Sequence, residues 1–292
     1  MTTTIKNLCV IGTGLIGGSF CLALKQAGVC ENITGAGRSE ETLKKALQLN
    51  IIDCYETDIR AAVKNADVIF VSVPLGAMQS VFEKINTGLI EAGNKSAVIT
   101  DAGSSKQRVQ QLADKIFIKN ASRFVAGHPI AGTENSGPDA AFADLYKNRR
   151  VIITPTEKTD KDAIKSVTEL WQLTGAAVEI MDAEHHDKVL AATSHLPHLL
   201  AFGLVHCLEN IDDIEDVFRF AAGGFRDVTR IASSDPTMWR DICLSNQQPI
   251  LDMMKSYKDE LDMLYNALET GDGEKLKEIF LHAKQTRDKF TH

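Results

Sequence analysis

The stretch Leu8-Cys9-Val10-Ile11-Gly12-Thr13-Gly14-Leu15-Ile16-Gly17-Gly18 constrains this chain more than any other. A short apolar run ends in Gly-x-Gly-x-x-Gly, and Phe20 to Leu24 then reads as a helix. The run fits a central parallel strand buried on both faces. Gly12 allows a tight turn off the strand. Gly14 leaves the backbone bare for a pyrophosphate, and Gly17 lets the helix pack close to the strand. The helix N-terminus offers free N–H groups and a positive dipole end. A strand-to-helix turn that binds nothing could carry the same pattern. Its place between a strand and a helix points to dinucleotide binding, with Gly12, Thr13, Gly14, Leu15, Ile16 and Gly17 as the contacts.

The next strand, Asn32 to Ala36, bears on which dinucleotide. An NAD site carries an acid about 20 residues past the glycines, on the ribose 2′-hydroxyl. Here that position is Gly37, followed by Arg38 and Ser39. No carboxylate repels a 2′-phosphate there, and a guanidinium can grip one in a fork. The expectation is NADP, with NAD still possible. The alternative is that Arg38 is a solvated charge and Glu40 or Glu41 meets the ribose.

A chain of 292 residues can bury a large core and is expected to hold two domains. The net charge of −7 argues against a nucleic-acid surface. Met1 to Lys6 lacks a signal peptide's apolar stretch, and no later run reads as long enough to span a bilayer. The six cysteines, Cys9, Cys21, Cys30, Cys54, Cys207 and Cys243, form no CxxC and read as reduced thiols of a cytoplasmic protein.

Strands alternate with helices over the first 180 residues. Glu40–Leu49, Asp58–Asn65, Ala77–Ile85 and Lys106–Ile118 read as helices, and Asp67–Val73, Ala97–Thr100 and Phe124–Ala126 as strands. Alternation means right-handed crossovers and a parallel sheet, with ligands beyond the strands' carboxyl ends. Val73-Pro74, Gly103-Ser104 and Gly127-His128 therefore converge on the nucleotide. Two more strands, Val151–Thr154 and Ala177–Ile180, flank a helix at Asp160–Leu173. After Ile180 the pattern is helical: Asp182–Cys207, kinked or interrupted at Pro197, Asp212–Ala222, a start at Asp235-Pro236, Met253–Leu268 and Glu274–Phe290. The change sets the boundary: an α/β Rossmann-type dinucleotide-binding domain at 1–180 and an all-α domain at 181–292. The stripe Met254, Tyr257, Leu261, Leu264 and Leu268 suits a dimer interface or the domain's own core.

His128 lies at a strand end inside Gly-His-Pro-Ile-Ala-Gly, and imidazole is well suited to proton transfer near pH 7. A backbone-bonded loop histidine is the alternative. Ser104 can orient that histidine, donate to substrate or cap the next helix. His195 and His198, in Ser-His-Leu-Pro-His, share a helix face if the helix continues past Pro197. No carboxylate sits at ligand spacing, so no metal is expected and a polar substrate pocket is favoured. Arg226 and Arg230, at i and i+4, suit carboxylates; pairing with Asp227 and Asp235 on a solvated face is the competing reading.

Asp101-Ala102-Gly103-Ser104, Gly127-His128-Pro129-Ile130-Ala131-Gly132, Ser194-His195-Leu196-Pro197-His198, and Gly224 to Ala232 followed by Asp235-Pro236 and Trp239 come in an order that resembles the prephenate/arogenate (cyclohexadienyl) dehydrogenases of tyrosine biosynthesis, the TyrA family. The motifs cover nearly the whole chain. The resemblance implies a nucleotide-binding domain joined to a helical dimerisation domain, as in 6-phosphogluconate dehydrogenase, and the oxidative decarboxylation of prephenate, arogenate or both. It implies His128 as the catalytic histidine, Ser104 as the serine holding it and the substrate hydroxyl, and His198 and Arg230 as substrate-binding residues. Glu134 would sit near the pocket mouth and Trp239 on its wall. The resemblance raises tyrosine as an inhibitor. Gly37-Arg38 departs from the acid that many members carry. A β-hydroxyacid dehydrogenase of another substrate would place a catalytic lysine where this chain has His198 and Arg230. A non-catalytic NADPH-binding sensor would show no turnover.

Overall fold

A computed structural model describes residues 4–290 apart from 210 and 213. Met1 to Thr3 of the N-terminal reading, and Asp213 of the helix expected at Asp212–Ala222, lie outside the described residues.

The first compact unit runs to Asn246. Its larger sheet contains β1 (Ile5–Ile11), β2 (Cys30–Ala36), β3 (Cys54–Glu56), β4 (Val68–Val71), β5 (Val98–Asp101) and β6 (Phe124–Val125), in the order β3-β2-β1-β4-β5-β6. Every pairing in it is parallel. Period-two alternation splits the strand side chains between two cores. Leu8, Val10, Val68 and Phe70 face one, with Phe20, Tyr146 and Trp171. Cys9, Ile11, Ile69 and Val71 face the other, with Phe82, Phe117 and Phe124. A strand buried on both faces reads as a continuous apolar run because each side has its own core to fill. The helices α1 (Leu15–Gln26), α2 (Glu40–Gln48), the short α3 (Ile59–Ala62), α4 (Met78–Ala92) and α5 (Gln107–Ile116) make the crossovers.

The chain then leaves that sheet. Rather than one strand running into Gly127-His128, it breaks after β6 and restarts as β7 (Gly127–Pro129) in a second sheet. There β7 pairs antiparallel with β8 (Arg150–Ile153), and β8 pairs parallel with β9 (Ala177–Ile180) after α6 (Lys161–Leu173). Trp171 of α6 and Tyr146 join Phe20 and Phe70 in an aromatic cluster, with ring centroids 4.3–5.5 Å apart. This largely edge-to-face packing holds α6 against α1 and β4.

Next come α7 (Ala183–Leu190), a π-helical turn (Ala191–His195) and α8 (Leu196–Leu208). Pro197 lies in the first turn of α8, where its missing N–H costs nothing. The break expected at Pro197 therefore falls just before it. The run Ala183–Leu208 corrects the reading that no stretch is long enough to span a bilayer: its 26 residues are long and apolar enough by length and composition. Its N-terminal turns pack on protein, however, with His186 and Asp187 fully buried. The helices α9 (Ile214–Arg219), α10 (Gly223–Thr229) and α11 (Pro236–Ser245) complete the unit. Asp235 caps α11 by accepting from Met238 N–H, with Pro236 in the first turn, as its sequence reads.

The second compact unit, Gln247–His292, contains α12 (Gln247–Glu269) and α13 (Gly273–Lys289). The α12 stripe is largely uncovered: Met254, Tyr257, Leu261 and Leu268 are all exposed, Leu268 to 67%.

Candidate active site

Gly12 adopts φ +95°, a left-handed conformation that L side chains rarely adopt, and a Cβ there would lie 2.4 Å from the Ser72 carbonyl oxygen. A Cβ on Gly17 would lie 1.9 Å from the Gly12 carbonyl oxygen. Both positions therefore demand glycine. The Ser72 hydroxyl donates to that carbonyl at 2.6 Å, pinning the turn from the neighbouring strand. Gly14 is different: nothing crowds its Cβ position nearer than 3.9 Å. It precedes α1 with no side-chain cap, so the first-turn N–H groups keep no side-chain partner. The buried Thr13 hydroxyl also has no partner among the described residues. A bare helix end and an orphaned hydroxyl fit a pyrophosphate. Beside them, Val73 is half-buried and Pro74 exposed at the end of β4.

At the end of β2, Arg38 is exposed, and none of the described carboxylates pairs with it. Ser39 caps α2, its hydroxyl oxygen accepting from Thr42 N–H at 3.1 Å and Thr42 Oγ1 at 3.0 Å, which leaves its own proton to donate. Glu40 is turned away, bound to Tyr55 Oη at 3.1 Å and to Lys44 at 3.1 Å.

The imidazoles cluster beyond the ends of β5 and β6. His128 is buried on β7, and its Nδ1 lies 2.8 Å from His186 Nε2. His186 Nδ1 lies 2.8 Å from Asp187 Oδ1. Beneath them a buried ion pair joins Lys106 Nζ to Asp101 Oδ2 at 2.6 Å. Lys106 Nζ also donates to the Gly127 carbonyl at 2.5 Å, and Gly127 N–H donates to Asp101 Oδ1 at 3.1 Å. The strand carrying His128 is thus fixed from below. Burial pushes the His128 imidazole well below the ordinary histidine value, and His186, Lys106 and His195 push the same way. Burial also lowers His186, which Asp187 partly opposes. The neutral imidazole is the form a proton acceptor needs.

His195 follows on the π-helical turn. Asn246 Nδ2 donates to its Nδ1 at 2.9 Å and to the Asp187 carbonyl at 2.8 Å. Its Nε2 is buried with no hydrogen-bond partner among the described residues, and burial lowers its pKa to about 4. His198 lies stacked on Trp239, ring centroids 3.7 Å apart at 18°, and its Nδ1 donates to the Ser194 carbonyl at 2.9 Å. The His195 ring also lies edge-on to Trp239, centroids 6.2 Å apart, so both histidines face it. His195 sits within electrostatic reach of His128 and His198, and His198 within reach of Arg230. Arg230 in turn approaches Glu134 at 3.9 Å with both side chains exposed. Ring contacts join His128 to His186, and His195 and His198 to Trp239, and the Arg230–Glu134 pair forms an exposed rim.

Ser104 loses one of its alternative readings. Ser104 is half-buried at the end of β5, and its backbone adjoins His195. It does not cap α5, whose N-terminal N–H groups go to Asp187. Arg230 sits one helical turn after Arg226: its N–H donates to the Arg226 carbonyl as the chain passes from α10 into a 3-10 turn. Arg226 is exposed, and none of the described ion pairs reaches it, Asp227 or Asp235.

Residues 20–180 match the family model "Prephenate dehydrogenase, nucleotide-binding domain", and residues 182–282 match "Prephenate dehydrogenase, dimerization domain". The chain belongs to the prephenate dehydrogenase family. It is 39% identical over 283 residues to the Bacillus subtilis prephenate dehydrogenase, covering 97% of this chain and 75% of that protein. It is 37% identical over 289 residues to the Zymomonas mobilis cyclohexadienyl dehydrogenase, covering 98% and 96%. A crystal structure of the Aquifex aeolicus prephenate dehydrogenase, in complex with hydroxyphenyl propionate and NAD+, superposes with a TM-score of 0.90 at 37% identity, covering 99% of each chain. Membership sets aside the β-hydroxyacid dehydrogenase and sensor readings.

Sequence reasoning passed over His186, Asp187, Lys106, Asn246 and Ser72. A signal for two of them was present. Ala183, His186, Asp187, Leu190 and Ala191 repeat at the spacing of a buried helix face, and all five are buried. A His-Asp pair in core positions is the anomaly that marks them.

Proposed function

We propose that this enzyme oxidises and decarboxylates prephenate, arogenate or both, with His128 as the general base. The observation that carries this reading is a buried imidazole just past the end of β6, hydrogen-bonded to His186 and held below the ordinary histidine value by burial. The turn Gly12–Gly17 and α1 would hold the cofactor pyrophosphate, with Val73 and Pro74 alongside. When bound, a nicotinamide ring supplies the hydride acceptor for the carbinol carbon. His128 takes the proton of the ring hydroxyl, and Ser104 holds that hydroxyl in line. Arg230 holds a substrate carboxylate, His198 is a second substrate-binding residue, Trp239 stacked on it forms the pocket wall, and Glu134 lies at the mouth. Loss of the ring carboxylate as CO2 leaves an aromatic ring, which drives the step forward. Arg226, exposed one turn before Arg230, would be a second carboxylate partner.

NADP is the proposed preference, supported by Gly37, the unpaired Arg38 and the diversion of Glu40 to Tyr55 and Lys44. We place the domain boundary at 180/181 and assign the helical part to substrate binding and a homodimer. The uncovered α12 stripe supports the dimer. Steady-state assays of prephenate and arogenate, each with NAD and NADP, test the activity; no turnover in any of the four would overturn it. Tyrosine added to the active combination tests inhibition, and sedimentation tests the dimer.

A further inference from the structure

Asp187 closes the N-terminus of α5 from another helix. Its Oδ1 accepts from Lys106 backbone N–H at 2.7 Å, and its Oδ2 accepts from Gln107 N–H at 3.0 Å. Helix N-termini leave such N–H groups unpaired and favour a negative charge. Both carboxylate oxygens are therefore acceptors. An acceptor at Oδ1 requires the His186 proton on Nδ1, 2.8 Å away. A neutral His186 then presents Nε2 as an acceptor. His128 Nδ1, 2.8 Å from it, must donate. The proton of a neutral His128 is thereby placed on Nδ1, and its Nε2 is bare.

We infer that His186 and Asp187 are positioning residues that lock His128 in its Nδ1–H tautomer and make Nε2 the nitrogen that accepts the substrate's proton. This rests on the reading of His128 as the base and adds to it the reacting nitrogen and the device that selects it. No bond other than a proton transfer is involved: the hydroxyl proton goes to Nε2, and His128 becomes an imidazolium whose Nδ1–H faces His186. The groups facing His128 are Lys106 and Asp101 from the β5–α5 segment, His186 and Asp187 from α7, and His195 from the π-helical turn. Asp101 is taken up by Lys106. Asp187, reached through His186, is the carboxylate left to offset the charge that arrives on His128.

The test is a long-range proton–nitrogen NMR correlation on the full chain labelled with 15N-histidine, near pH 7.5. The expected His128 signal has a protonated Nδ1 and a pyridine-type Nε2. A proton on Nε2 overturns the inference, and no variant is needed to see it. His186→Gln keeps an oxygen to accept from Nδ1–H. It should retain the tautomer and stay within about tenfold of the unmodified kcat. His186→Phe should give mixed tautomers and lose roughly 100-fold or more in kcat with little change in KM. NADPH binding, read by fluorescence, checks that both variants fold. If His186→Phe folds with the His128 tautomer unchanged, His186 only bridges two helices and the inference fails. Full activity in His128→Asn would instead remove the base reading while the tautomer result stood.

Discussion

His128 and Arg38 both follow strands of the same parallel sheet, β6 and β2, yet their surroundings are opposite. His128 is buried, hydrogen-bonded to a second histidine and mounted on a strand that a buried Lys106–Asp101 pair holds in place. Arg38 is exposed, with no described carboxylate beside it. The difference follows from what each must do. A base has to remain uncharged and keep one nitrogen aimed, so the protein surrounds it and desolvates it. A group that grips an incoming phosphate must keep its charge and stay open, and solvent screens whatever it gains. Substitutions should therefore cost most at the buried end and least at the open one.

His128→Asn should bind cofactor normally and lose about 100- to 10,000-fold in kcat, the usual worth of a general base. Turnover close to that of the unmodified enzyme, with cofactor binding intact, would move the proton acceptor elsewhere.

The buried end also sets an acid limit on stability. Folding holds His128, His186 and His195 below the ordinary value of 6.5, His195 at about 4. Above pH 6.5 these groups are neutral in both states, and their contribution is fully present. As pH falls below 6.5 the unfolded chain takes up protons that the folded chain refuses, so stability drops until the folded pKa is reached. His195 alone accounts for roughly 3 kcal/mol between pH 6.5 and pH 4. Urea midpoints should fall steeply over that window, and less steeply in His195→Asn. Identical slopes in the two proteins would mean that His195 is not the source.

How far this contrast could be read beforehand differs between its two ends. The glycine turn, the parallel sheet and the helical remainder are local patterns: period-two burial in β1 and β4, breakers after them and caps such as Asp235. His128 stood out because its neighbours in the chain are unusual. Its partners did not, because they arrive from far along the sequence: His186 is 58 residues away and Asp187 caps a helix about 80 residues upstream. The break between β6 and β7 was hidden for a related reason. Gly127-His128-Pro129 reads as the end of the Phe124–Ala126 strand, and only pairing with Ile152 on β8 shows that a second sheet begins there.

The rim lies between the extremes. Arg230 is 65% exposed and 3.9 Å from Glu134, a contact of little stabilising worth. A bound substrate carboxylate would replace it with a charge-assisted pair, worth about 1.5 kcal/mol after allowance for exposure. Arg230→Gln should raise KM roughly tenfold and leave the melting temperature unchanged. Arg226→Gln, further from any described partner, should do less. Equal effects at the two positions would make the rim a general basic surface rather than a specific grip.

Cofactor choice should show the smallest effect, since it rests on the most open group. Arg38 can reach a 2′-phosphate from one side, and the Ser39 hydroxyl, already holding the first turn of α2, has a proton left to donate. Glu40, the acid that could have met a ribose, is occupied by Lys44 and Tyr55. An exposed Arg–phosphate contact of this kind is worth about 1 kcal/mol, or roughly fivefold in kcat/KM for NADP over NAD. Gly37 has no crowding neighbour: a Cβ there would meet Leu43 Cδ2 only at 4.0 Å. Gly37→Asp combined with Arg38→Ala should therefore fold, place a carboxylate on the ribose side and remove the guanidinium, inverting the preference toward NAD. The comparison to run is kcat/KM for both nucleotides in both proteins. If the unmodified enzyme uses NAD as well as NADP, Arg38 serves only as a solvated charge at the end of β2.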